Sequence, residues 1–92
     1  MIVRWTTPAA DDLTRICDYT REHFGPAQAR RAALGIYQGA ESIKTHPNRG
    51  RRGRNSTTRE LIVSGLPFLI VYRVRGKAIE VVRILHSRQK WP

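Results

Sequence analysis

"RELIVSGLPFLIVYRVRGKAIEVVRILH", residues 59–86, decides the fold. Three apolar, β-branched runs stand in it: RELIVS, FLIVYRV and AIEVVRILH. Between them lie GLP and RGK, which carry turn chemistry. Val, Ile and aromatic residues suit a pleated, half-buried surface. Turns this short force consecutive strands to run antiparallel, as a meander. Alternation then sorts the side chains. Arg59, Leu61 and Val63 share a face. Phe68, Ile70, Tyr72 and Val74 oppose Leu69, Val71, Arg73 and Arg75. Ile79, Val81, Arg83 and Leu85 oppose Glu80, Val82, Ile84 and His86.

Upstream, "HPNRGRRGRNSTT" (46–58) reads as a long loop with four arginines and no acid. It follows no strand, so it is no glycine-rich phosphate loop, although its arginine forks suit a phosphate. Before it stand two helices. Thr7 is the expected cap of the first, with Pro8 at the first helical position and Asp11 and Asp12 near the positive end of the dipole. Ala9, Leu13, Ile16, Cys17, Thr20 and Phe24 recur at helical spacing. Gly25 stops that helix and Pro26 starts the next, which carries Ala29, Ala33, Ile36, Tyr37, Ala40 and Ile43 on one face and ends near His46, before Pro47. "MIVRW" (1–5) is a short strand. The expectation is an α+β fold in a single domain, 1–92: an N-terminal strand, an αα-hairpin, then a three-stranded antiparallel meander. Together the strands form a four-stranded antiparallel sheet with the helices on one face.

The charge is unevenly placed. The net charge is +10, yet residues 1–48 hold six Lys/Arg against five Asp/Glu, and residues 49–92 hold eleven against two. Such a field favours an acidic partner, whether nucleic acid or protein. One cysteine, Cys17, excludes an internal disulfide and reads as a small core residue. One cysteine and three scattered histidines match no zinc pattern, so neither a metal nor a cofactor is expected. No long apolar run or leader-like segment opens the chain, which predicts a soluble, cytoplasmic protein without membrane contact.

With helices on one side, the other face of the sheet is expected to be open. Arg73 and Arg83 are placed on it or at its rim, next to Arg49, Arg51, Arg52, Arg54 and Arg59. The tail adds Arg88, Lys90 and Trp91. These ten residues are the predicted surface for a target or nucleic acid. His86 is the candidate acid or base, since an imidazole suits proton transfer near neutral pH. His23 lies on a polar helix face and His46 at a helix end. Were the chain a nuclease, His86, Arg88, Arg83 and Arg73 would be its catalytic set.

In order, "PAADDLTRICDY" (8–19), "TRELIVSGLPFLIVYRV" (58–74) and "VVRILHSRQKWP" (81–92) resemble the RelE/ParE superfamily of bacterial toxins, from type II toxin–antitoxin modules. The resemblance covers nearly the whole chain and implies the same α+β fold. It also implies a cognate acidic antitoxin, ParD- or RelB-like, wrapping the toxin. One branch of the superfamily cleaves mRNA on the ribosome; the ParE-like branch poisons DNA gyrase. The nuclease branch sets lysines at alternate positions before the "SG" turn, matched here by Thr58, Glu60 and Ile62. Its strand-opening arginine is matched by Leu69, its C-terminal arginine by Arg88, and its terminal tyrosine only by Trp91. The resemblance therefore implies ParE-like gyrase inhibition, with a ribosome-dependent endonuclease as the alternative. A non-toxic basic nucleic-acid-binding module is the reading from another class.

Overall fold

The computed structural model describes residues 1–89. The elements follow the order β1 (Ile2–Trp5), α1 (Thr7–Phe24), α2 (Pro26–Thr45), β2 (Arg51–Arg52), β3 (Arg59–Ile62), β4 (Phe68–Arg75) and β5 (Ala78–His86). The strands form one mixed sheet, ordered β1-β5-β4-β3-β2. The meander β3-β4-β5 is antiparallel, as the turns demanded. Gly76 sits at φ 57, the conformation glycine supplies at the first central position of a tight hairpin.

Two expectations change. The sheet has five strands rather than four, and β1 pairs with β5 in parallel rather than antiparallel, Ile2 opposite Ala78 through Trp5 opposite Val81. The two differences have one cause. The helical hairpin returns the chain to the end of the sheet where β1 finished. The arginine loop then contributes its own two-residue strand, β2, antiparallel to β3. That strand adds one reversal, so β3 and β5 run in the direction of β1.

Both helices lie on one face. Ala9, Ile36, Ala40 and Ile43 pack there against Leu61, Val63, Ile70, Tyr72, Ile79, Val81 and Ile84. Burying each Ile, Leu and Val side chain among them contributes roughly 1.5–3 kcal/mol. The approach is close: a Cβ on Gly39 would stand 2.9 Å from Ile70 Cδ1. Thr6, not Thr7, caps α1, its hydroxyl accepting from Ala9 N at 3.2 Å. With that shift, Asp11 and Asp12 fall beyond the first turn. Phe24 is exposed rather than buried, Tyr37 is exposed beside the Trp5 ring, and Ala32 rather than Ala33 is buried. Gly25, at φ 91, ends α1 as expected.

The strict alternation read along β5 also fails. A bulge lies where the register passes from Tyr72–Val81 to Val71–Arg83, leaving Val82 unmatched. One extra residue reverses every side chain beyond it. Ile84 and His86 therefore join Ile79 and Val81 in line with Ile70 and Phe68, while Arg83 and Leu85 stand opposite Val71 and Leu69. The face away from the helices is not an open platform. Glu60, Leu69, Val71 and Leu85 along it are all buried. Arg54 Nη1 donates to Gln89 O at 3.4 Å, tying the arginine loop to the segment after β5.

Candidate functional site

Three carboxylates organise the arginines. Asp12, on α1, is buried where β1 has ended and β5 would present an unpaired amide. Its Oδ2 accepts from Ile84 N at 3.0 Å and from Arg83 Nε at 2.7 Å; its Oδ1 accepts from Arg83 Nη2 at 3.0 Å. Arg15, one helical turn on, pairs with the same carboxylate. The hydrogen bond to Asp12 holds the proton on Arg83 still more tightly than usual. Glu60, buried on β3, is held by Arg51 at 3.2 Å and Arg54 at 3.7 Å. Arg54 N also donates to its Oε2 at 3.3 Å. Glu80, on β5, takes its cross-strand partner Arg73 and, at 4.0 Å, Arg75.

This pairing divides the predicted surface. Arg51, Arg54, Arg73 and Arg83 are each committed to a carboxylate. Arg49 and Arg52 are exposed, and among the described residues neither has an ion-pair partner. Arg59 donates through Nη1 to the Gly50 and Asn48 carbonyls at 2.8 and 3.4 Å. Arg88 is exposed, and its amide donates to His86 Nδ1 at 3.2 Å. Lys90 and Trp91 lie outside the described residues.

The four residues of the nuclease alternative do not converge. His86 stands opposite Phe68, whose ring it meets edge-on at 6.0 Å, in line with the helix-facing residues. Arg73 stands opposite Glu80, on the other face. His86 lies six positions beyond Glu80 along β5, on the order of 20 Å. Arg83 lies between them and is turned to Asp12. Thr58, Glu60 and Leu69, which match the nuclease branch's basic positions, are buried; Ile62 is exposed but apolar. The one base among them, the Glu60 carboxylate, is already engaged by Arg51 and Arg54, and no cation stands at any of the four.

Sequence reasoning missed Asp12. It sits one position from Leu13 on the apolar stripe of α1, a placement in which a carboxylate is rarely buried unless paired. That placement was the available signal, with Arg83 as a partner only the bulge reveals. Also unforeseen is a groove of about 860 Å³ between α1 and the β4–β5 end of the sheet. Ile16, Tyr19, Phe24, Leu66, Phe68 and His86 line it. Cys17 is half-buried on α1, and burial pushes its thiol up despite the neighbouring Arg21. Among the described residues no cluster of His, Cys, Asp and Glu could hold a metal ion, and no helix is long and apolar enough to cross a membrane.

The chain is an αα-hairpin on a bulged mixed sheet, with a basic loop strand at one edge. Residues 3–91 match the model of the ParE toxin of the type II toxin–antitoxin system, parDE, and the chain belongs to that family. It is 41% identical to toxin RelE2 of Caulobacter vibrioides over 92% of this chain and 93% of that one. Among solved structures it is similar to a chain of the chromosomal ParDE system of P. aeruginosa: TM-score 0.87, 32% identity, over 94% of this chain and 95% of the other. A YoeB/ParE toxin from Agrobacterium tumefaciens shares the fold at TM-score 0.65 and 19% identity, over 94% and 98% of the two chains.

Proposed function

We propose that this ParE-family toxin arrests growth by inhibiting DNA gyrase, breaks no bond itself, and is neutralised by a cognate acidic ParD-type antitoxin. The observation that carries the reading is the state of Glu60. At the position where the nuclease branch sets a lysine, this chain buries a carboxylate and spends two arginines on it. Phosphodiester cleavage needs a free base, an acid and cations poised on one spot. Here those groups are scattered over two faces or neutralised. The antitoxin fits the opposite side of the molecule. The groove beside α1, with Tyr19 and Phe24 exposed at its wall, suits the apolar face of a partner helix. The excess positive charge speeds encounter with an acidic, partly disordered chain.

Brief induction in growing cells tests the target. The expected result is gyrase-linked DNA breaks, a DNA-damage response and filamentous cells, with messages intact. His86→Ala should leave toxicity in place, whereas loss of a general acid or base costs about 10²–10⁴ in rate. Arg88→Glu should weaken toxicity; Arg83→Glu is a poorer probe, because it places a second carboxylate against Asp12. Cuts phased to ribosomal A-site codons that vanish with His86→Ala would make the protein an endoribonuclease. Harmless induction of the wild type would leave the basic-module reading.

A further inference from the structure

The edge of the sheet formed by β2 and β3 carries an arrangement that stability alone does not favour. Arg52 and Arg59 are direct cross-strand partners in the antiparallel pair. Like charges so placed repel and destabilise a sheet. Arg49 joins them. The Arg59 guanidinium donates to the carbonyls of Asn48 and Gly50, the residues on either side of Arg49. Three arginines thus share one stretch of the sheet's edge. Among the described residues no carboxylate pairs with any of them. The nearest acid in sequence, Glu60, is buried and already held by Arg51 and Arg54. β2 is the outermost strand, so its far side is unpaired and reachable.

We infer that the Arg49–Arg52–Arg59 edge binds the phosphodiester backbone of duplex DNA. Guanidinium forks match phosphate oxygens in a bidentate fashion. Both bonds of Arg59 come from one nitrogen, which leaves donors for an anion while the side chain is already held. Charge density selects the duplex. It offers one negative charge per ~1.7 Å of axis, against one per ~3.4 Å for a single strand. An extended acidic peptide offers at most one per ~3.3 Å. A clustered triple cation is matched best by the densest of the three. This contact does not depend on gyrase being the target, because the toxin alone should make it.

The test is fluorescence anisotropy of the purified full chain with a labelled duplex across a salt series. Wild type should bind with a steep log–log salt slope. Arg49→Ala with Arg52→Ala should reduce that slope by about 2, since each phosphate contact contributes about 0.9. Arg49→Gln with Arg52→Gln should repeat the result with polar side chains kept. The control is Arg4→Ala with Arg30→Ala, which removes the same charge from β1, at the opposite edge, and from the exposed side of α2. Its slope should stay at the wild-type value. Equal losses in the two double variants would mean that net charge alone binds, and the site falls. Displacement by polyglutamate as readily as by unlabelled duplex would overturn it in favour of an acidic protein segment. Tighter binding to single-stranded RNA than to the duplex would overturn it as well. Melting of each variant by circular dichroism confirms that the compared chains are folded.

Discussion

The two edges of the sheet use arginine in opposite ways. Beside β5, just past the end of β1, Asp12 is buried against Arg83, Arg15 and the Ile84 amide. Beside β3, Arg52 faces Arg59 with no acid between them. The first edge is a closed polar network, satisfied at every oxygen, and its arginines are framework. The second is an uncompensated cluster held in place by carbonyls and by pairing. A cationic composition therefore does not locate function; the acids do, by marking which cations the fold has already used.

Four changes test this contrast. Asp12→Ala should be the most damaging. It leaves the Ile84 amide unsatisfied and Arg83 without its partner, and losses of this kind cost about 2–4 kcal/mol. Urea unfolding should show the midpoint fall at unchanged m-value. Tyr72→Phe should come next. The Tyr72 hydroxyl accepts from Gly50 N and donates to Pro47 O, both at 2.8 Å, pinning the loop that bears Arg49. Losing both bonds from a buried ring should cost about 1–2 kcal/mol in the same assay. Arg83→Ala should cost less, about 1 kcal/mol, because Asp12 keeps Arg15 and the Ile84 amide. Arg52→Ala should be nearly silent, within about 0.5 kcal/mol and toward greater stability, since it removes a repulsion. A melting temperature that dropped on Arg52→Ala as far as on Asp12→Ala would erase the distinction between the edges.

The sequence made some of this legible. The meander was readable because Gly65 with Pro67, and Gly76, punctuate runs of β-branched residues. The helical hairpin was readable because Gly25-Pro26 is a stop followed by a start. The direction of β1 was not, since it hinges on two arginines forming a strand inside what reads as loop. Two residues have no periodicity to detect. The bulge at Val82 was equally silent: "EVVRIL" alternates as well with one residue skipped as without. That slip put Arg83 in the wrong line and hid its bond to Asp12. The candidate surface was visible as a set of basic residues, but not as a division between engaged and unengaged ones. That division depends on where Asp12, Glu60 and Glu80 fall in three dimensions.

The Asp12 network also sets a timetable. It joins positions 71 and 72 residues apart, and β1 finds its strand partner in β5. Contacts this distant in sequence form late and slow the search for the native state. During synthesis, β1 and α1 must wait for β5 to leave the ribosome before either is complete. A chain interrupted before Ala78 lacks both the partner of its first strand and the closure of its first helix. A folded domain is thus on hand only once β5 has been synthesised.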